Sequence, residues 1–295
     1  MLDQRIGFLG LGTMGRPLAQ RLLDAGAQLR VYDIAADAVA HFTAQGVLAA
    51  ATPRELGQWA DVLIFMVPHP AALRDNLLGA QGALHTLRRG AVVIDMSTSG
   101  PGVVKECGAA LSARGIEMVD APVGKGPPAA ARGELTLLMG GHRAVCAAVE
   151  PILRNFGNEL HYCGPLGSGQ VVKLVNNLVS CANAAVLAEA CALAQKSGVD
   201  LDVLTGIMAG TAADSHQLRH TLMGKALKND FNPAFKLKLA HKDLRLALQM
   251  AHELGANSMC TRAAVDWYDR AAAAGHGELD RAALMLIVDP QLKKD

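Results

Sequence analysis

Aromatic residues make up only 4% of this 295-residue chain, and its two signs of charge all but cancel, 28 lysines and arginines standing against 27 aspartates and glutamates. A net charge of +1 leaves no overall field to gather nucleic acid or an anionic membrane surface, so selectivity for anions has to come from a local site. The six cysteines, Cys107, Cys146, Cys163, Cys181, Cys191 and Cys260, never fall in a C-x-x-C spacing. They read as free, buried thiols of a reducing cytosol, and no metal is expected. The 30 glycines show no Gly-X-Y period, which excludes collagen, and there is no internal repeat or low-complexity tract. The most apolar stretch, Leu174 to Ala194, is interrupted by Asn176, Asn177, Asn183 and Glu189, so it reads as a buried helix and a poor bilayer span. The opening Met-Leu-Asp-Gln-Arg runs directly into an apolar strand, and no signal peptide is expected.

What the chain does contain is apolar residues, 51% of the total, in a length beyond the usual single domain of roughly 100–200 residues. From Ile6 to Cys163 short apolar runs alternate with helical patterns, as expected of parallel strands with crossover helices. The runs are Ile6–Leu9, Gln28–Tyr32, Val62–Val67, Ala91–Ile94, Glu117–Val119, Leu135–Met139 and Glu159–Tyr162. Glycine and proline then punctuate Gly164-Pro165-Leu166-Gly167-Ser168-Gly169, beyond which no strand pattern follows. Helices are expected at Gln170–Ser197, Leu201–Met208, His216–Ala226, Phe235–Glu253 and Cys260–Ala274, with a frayed charged tail at Leu292–Asp295. The fold class is therefore α/β: a Rossmann-type doubly wound sheet over residues 1–164, then an all-α domain over 165–295 built on a long interdomain helix.

Gly10-Leu11-Gly12-Thr13-Met14-Gly15 fits G-x-G-x-x-G between an apolar strand and a helix that begins near Pro17. The first glycine permits a tight turn, the second admits a pyrophosphate to the backbone, and the third lets helix pack on strand. The free N–H groups of the helix end complete an anion site. A second strand closes on Asp33, 23 residues beyond Gly10, where a carboxylate accepts from adenosine ribose hydroxyls and repels a 2′-phosphate. NAD(H) is the cofactor this implies, with Arg30 and Arg16 leaving relaxed use of NADP open. Val67 and the pair Ser97 and Thr98 end strands on the crevice side of such a sheet. Ser97 or Thr98 is equally suited to cap a helix ahead of Pro101.

On the long second-domain helix Lys173, Asn176, Asn177 and Ser180 recur at i, i+3, i+4 and i+7 among Val, Leu and Ala. They share one face, where buried polar groups are costly unless bonded or turned to a cavity. Hydride delivery to a carbonyl leaves an alkoxide that needs a proton, and a partly desolvated ammonium supplies one readily.

These segments, with Asp95-Met96-Ser97-Thr98, Asp120-Ala121-Pro122-Val123, Gly133-Glu134-Leu135-Thr136, Gly169 through Asn177 and Ala240-His241-Lys242-Asp243, resemble in order the motifs of the β-hydroxyacid dehydrogenases. The resemblance implies that Lys173 is the general acid and base, that Asn177 positions the reacting oxygen, and that Lys242 lies near both nicotinamide and substrate. It also implies a homodimer or homotetramer in the cytoplasm. Where most members follow Asp-Ala-Pro-Val with Ser-Gly-Gly, this chain has Gly124-Lys125-Gly126, exchanging a hydroxyl donor for a cation in the turn that holds the substrate's anion. That pattern is similar to the sulfolactaldehyde-reducing members, which carry arginine there. Lysine lacks arginine's planar fork, but a mobile point charge with backbone N–H groups still suits a three-oxygen sulfonate. The expected substrate is a small anionic aldehyde, 3-sulfolactaldehyde first, with tartronate semialdehyde reduction or 3-hydroxyisobutyrate oxidation as alternatives. A nucleotide sensor that has lost its chemistry is the alternative of another class.

Overall fold

The structure, a computed structural model, describes residues 4–289, so the expected frayed tail lies outside the described residues. The chain divides into two compact units, Met1–Lys173 and Leu174–Asp295.

In the first unit the elements run β1 (Arg5–Leu9), α1 (Gly15–Asp24), β2 (Gln28–Tyr32), α2 (Ala36–Thr43), β3 (Leu48–Ala49), α3 (Pro53–Trp59), β4 (Val62–Phe65), α4 (Pro70–Leu78), β5 (Val92–Asp95), α5 (Pro101–Ser112), β6 (Glu117–Asp120), β7 (Val123–Gly124), α6 (Pro127–Arg132), β8 (Thr136–Gly141), α7 (Arg143–Leu153) and β9 (Glu159–Gly164). The strands order as β3-β2-β1-β4-β5-β6-β8-β7, with β9 on β8. The first six are parallel, so both faces carry helices and the central strands are apolar throughout; all four residues of β4 are buried. One core, around Ile6, Phe8, Leu18, Val31 and Ile64, fills one face. The other holds Leu9, Leu63, Phe65, Val93 and Leu111.

The expectation of uniformly parallel strands fails at the far edge. β8 is antiparallel to β6 and to β7, and β9 is parallel to β8. The helix available between β6 and β8 is the six-residue α6, about 9 Å at 1.5 Å per residue, too short to carry the chain back along the sheet.

In the second unit α8 (Ser168–Lys196), which begins in the first, is followed by α9 (Leu201–Met208), α10 (Leu237–Glu253), α11 (Met259–Ala273) and α12 (Met285–Val288). Among the described residues α8 is the one helix long and apolar enough to cross a bilayer. Its second half instead contributes Cys181, Ala185, Leu187, Ala188 and Cys191 to the two cores of this unit. Where one helix is expected over His216–Ala226, the chain forms a π-helical turn at Gln217–Leu222 and a 3-10 turn at Ala226–Lys228. The division between units falls nine residues beyond the expected boundary because the first turn of α8 is bonded into the sheet unit, as described below.

Candidate active site

In the order β3-β2-β1-β4 the succession of strands reverses between β1 and β4, and open parallel sheets bind ligands at the carboxyl ends of strands at such a switch point. The β1–α1 turn lies there. Gly10 has φ +98, and a Cβ on it would come within 2.2 Å of Met66 O at the end of β4. A Cβ on Gly15 would come within 1.8 Å of Gly10 O, whereas one on Gly12 would meet nothing within 4 Å. The outer glycines close the turn and Gly12 faces open space, with exposed Thr13 and half-buried Met14 beside it. Asp33 accepts from Leu11 N at 2.6 Å and from Ala35 N at 2.8 Å, which aims the half-buried carboxylate and still leaves lone pairs for ribose hydroxyls. These residues fit a dinucleotide. Arg30 is drawn away from a 2′-phosphate, since it pairs with Glu55 at 3.3 Å and lies over the Trp59 ring at 5.3 Å. Ile34, 90% exposed just after Asp33, offers an apolar surface for a base; its position directly after the strand's acid was the sequence signal for it. Asp33→Ser is expected to narrow a preference for NADH over NADPH. Equal kcat/KM for the two cofactors in the parent protein would remove Asp33 from that role.

The ends of β4, β5 and β6 are joined by buried side chains. Ser97, 1% exposed, accepts from Val67 N at 2.8 Å. Its hydroxyl is thus committed to the sheet, and little of Ser97 is left for a substrate. Neither Ser97 nor the half-buried Thr98 caps α5, whose N-cap is Gly100 at φ 78 with no side-chain bond. That helix start is served from a distance: Gln170 Oε1 accepts from Ser99 N at 3.0 Å and Gly100 N at 3.1 Å, while Gln170 Nε2 donates to Ser97 O at 2.9 Å and Asp95 Oδ2 at 3.3 Å. Asp120 accepts from Gly167 N at 2.7 Å and Gln170 N at 2.8 Å. A carboxylate 48 residues upstream of Ser168 therefore caps α8, the role usually taken by the residue beside the helix. Gly140 and Gly169 make room for it, because a Cβ on either would approach an Asp120 oxygen to 2.4 and 2.8 Å.

Burial pushes the Asp95 carboxyl up to about 7, with the nearby Asp120 adding to the rise and its Ser97 bonds opposing it. Burial also raises Asp120, against the backbone bonds it accepts. A carboxyl raised above its unfolded value favours folding while protonated, so Asp95 contributes fully below about pH 4 and that contribution is lost as pH rises toward about 7. Asp95→Asn has no such titration, and the decline in unfolding free energy over that window should be shallower in the variant. Urea titrations at a series of pH values measure it; identical slopes would show that Asp95 does not govern the dependence.

Gly124 ends β7, Gly126 is the N-cap of α6, and Lys125 between them has φ 70, a left-handed conformation unusual outside glycine. Its ammonium is not offered to solvent alone. Lys125 Nζ donates to Glu134 O at 2.8 Å and pairs with Glu159 at 3.3 Å, and Thr136 holds the other Glu159 oxygen at 2.6 Å. That acid, 34 positions away in the chain, is brought alongside by the β8–β9 pairing.

Along α8, Lys173 is half-buried, Asn176 exposed, Asn177 buried and Ser180 half-buried. Asn177 Nδ2 donates to Asp243 Oδ2 at 2.6 Å, and Asp243 Oδ1 pairs with Lys242 at 3.0 Å. Asn176 Nδ2 reaches Asn177 Oδ1 at 3.3 Å. In the second unit, then, Asn177 and Lys242 are brought together by one buried aspartate. The roles of Asp243, Asp120 and Gln170 went unread in the sequence, where they figured only as members of motifs.

Residues 5–164 match the NAD binding domain of 6-phosphogluconate dehydrogenase, and residues 167–288 match the NAD-binding domain of NADP-dependent 3-hydroxyisobutyrate dehydrogenase. The chain is 39% identical over 280 residues to a 3-sulfolactaldehyde reductase of Escherichia coli (strain K12), covering 95% of this chain and 94% of that protein. It is 33% identical over 282 residues to the 2-hydroxy-3-oxopropionate reductase of the same organism, covering 95% and 96%. Among solved structures, Mycobacterium tuberculosis 3-hydroxyisobutyrate dehydrogenase with L-serine superposes with a TM-score of 0.89 at 31% identity, covering 97% of this chain and 99% of that one. The ordered glycine turn, the acid closing β2 and these likenesses over nearly the whole length set aside a non-catalytic sensor: the chain belongs to the β-hydroxyacid dehydrogenase family and is an NAD-dependent oxidoreductase of small hydroxyacids or their aldehydes.

Proposed function

We propose that this enzyme reduces a small aldehyde bearing a strong anion, 3-sulfolactaldehyde to 2,3-dihydroxypropane-1-sulfonate, with NADH. The observation that carries the reading is the Gly124-Lys125-Gly126 turn, a cation flanked by glycines where the family's serine turn is expected. The 39% identity to a 3-sulfolactaldehyde reductase supports it. When bound, the dinucleotide supplies the hydride. Lys173 gives the nascent alkoxide its proton and takes it back in the reverse direction. Asn177 spends one amide hydrogen on Asp243 and retains a second to orient the reacting oxygen. Lys242, held by Asp243, adds positive charge beside that amide. Six free thiols support a cytoplasmic setting. Val172, Val175, Val179, Val186 and Leu193, all exposed on α8, support a homodimer or homotetramer.

The Lys125–Glu159 pair favours a second reading, because a cation already matched selects less strongly for a sulfonate; tartronate semialdehyde or 3-hydroxyisobutyrate would then be the substrate. Comparing kcat/KM for sulfonated, carboxylated and neutral three-carbon aldehydes decides between them. The sulfonated aldehyde is expected to rank first, and a higher value for a carboxylated one overturns the sulfonate reading.

A further inference from the structure

Four charged side chains surround the Gly124-Lys125-Gly126 turn at the far edge of the sheet. β8 pairs with β6 through Asp120 and Gly140 and with β7 through Gly124 and Thr136, and β9 lies beside it with Glu159 opposite Thr136. Gly124, Thr136 and Glu159 therefore stand in one row past the carboxyl end of β6, on the side of the sheet where ligands bind. Lys125 follows directly from that row. Its ammonium has three N–H donors. One goes to Glu134 O at 2.8 Å and one to Glu159 Oε1 at 3.3 Å, which leaves one for a ligand. Glu159 is fixed in turn by the Thr136 hydroxyl, which donates to its other oxygen at 2.6 Å. That hydroxyl and the Lys125 ammonium hold the Glu159 carboxyl below the usual glutamate range, so it is charged at neutral pH.

The other two charges cancel each other. Arg132 Nε donates to Glu134 Oε2 at 2.8 Å, so Glu134 lends Lys125 its carbonyl and spends its carboxylate on Arg132. Around the turn two cations and two carboxylates thus leave no net charge. The start of α6 adds little, because Pro127 and Pro128 carry no N–H. The cost of drying an ion grows as the square of its charge, whereas its attraction to fixed charges grows only in proportion. A dianion therefore faces about four times the cost of a monoanion for about twice the attraction. One spare N–H on a cation already matched suits the monoanion.

We propose that Glu159 sets the charge this turn accepts. By matching Lys125 it admits a three-carbon aldehyde whose terminal group is a monoanion, a sulfonate or a carboxylate, and it excludes the phosphoryl counterpart, which carries close to two charges at neutral pH. Sulfonate and phosphoryl groups both present three oxygens, so shape separates them poorly and charge has to. The proposal rests on Lys125 as the holder of the substrate's anion and adds the residue that limits it. Glu159 acts through Lys125, as a specificity residue with no part in the proton transfer.

The test uses protein saturated with NADH and three unreactive probes, propane-1-sulfonate, propyl phosphate and 1-propanol. Dissociation constants are measured by calorimetry at about pH 8, where propyl phosphate is a dianion. The parent is expected to bind propane-1-sulfonate most tightly. Glu159→Gln removes the charge but keeps an acceptor for Lys125 and a donor for the Thr136 oxygen. It should tighten propane-1-sulfonate by about threefold and propyl phosphate by about tenfold, because twice the charge doubles the free energy gained and squares the ratio. 1-Propanol should be unaffected, and Glu159→Asp, which keeps the charge, should retain the parent's ranking. The NADH dissociation constant of each variant establishes that it is folded, and the parent's own ranking tests the proposal if Glu159→Gln is not. A parent that binds propyl phosphate as tightly as propane-1-sulfonate overturns the proposal. So does Glu159→Gln with the parent's ratio of the two anions, an outcome that leaves Lys125 and the substrate reading standing. Lys125→Ala that binds propane-1-sulfonate as the parent does defeats Lys125 as the anion's holder and takes the proposal with it. Binding requires no turnover, so a parent that shows the expected ratios yet reduces no sulfonated aldehyde defeats the substrate reading and leaves the role of Glu159 in place.

Discussion

Lys173→Ala is expected to lower kcat by about 10²–10⁴-fold, the usual worth of a positioned acid or base, while NADH affinity stays within a few-fold of the parent. The expectation comes from where the side chain stands. It is half-buried, three residues after Gln170 and four before Asn177, on a helix whose first turn is fixed to the sheet by Asp120. The polar residues that follow it on this face of the helix, Asn176, Asn177 and Ser180, are amides and a hydroxyl that do not titrate in the working range. Single-turnover measurements under chemistry-limited conditions decide the matter, and a variant within about threefold of the parent rate takes Lys173 out of the mechanism.

Asp120→Ala should reduce the free energy of unfolding by about 2–4 kcal/mol. The substitution strips the acceptor from Gly167 N and Gln170 N, both in buried surroundings, and each unsatisfied group costs roughly 1–3 kcal/mol. The relief of burying a carboxyl that is itself raised by burial offsets part of the sum. Asp120→Asn, which keeps one acceptor oxygen, should lose less. Urea unfolding measures both, and a loss below about 0.5 kcal/mol for the alanine variant would mean that water or a backbone shift replaces the cap.

The parallel half of the sheet was legible in the sequence because buried strands leave continuous apolar runs, and Val62 to Phe65 is such a run. The turn of direction at β8 was not, since an apolar run carries no mark of its polarity, and the short α6 was the sole hint. The dinucleotide turn was legible because its requirements are local: Gly10 and Gly15 meet backbone within a few residues of themselves or at one neighbouring strand end. The cap on α8 was illegible for the opposite reason. Asp95, Asp120 and Gln170 each look unremarked in their own segment, and their meaning arises from separations of 50 and 75 residues. The Lys125–Glu159 pair was illegible in the same way, as Glu159 lies on a different strand. For Ser180 the helical spacing identified the residue, whereas the two donors to its oxygen come from distant positions 217 and 281.

The continuity of α8 has a mechanical consequence. Lys173 and Asn177 belong to opposite sides of the division between the two units, yet the same helical rod carries both. Their separation along its axis is about 6 Å, and Ser180 follows at about 10 Å, by the rise per residue alone. A hinge acting elsewhere in the chain would leave this ruler unchanged. The side chains of Lys173, Asn177 and Ser180 thus keep a spacing fixed by helix geometry alone, independent of the loops that join the other elements.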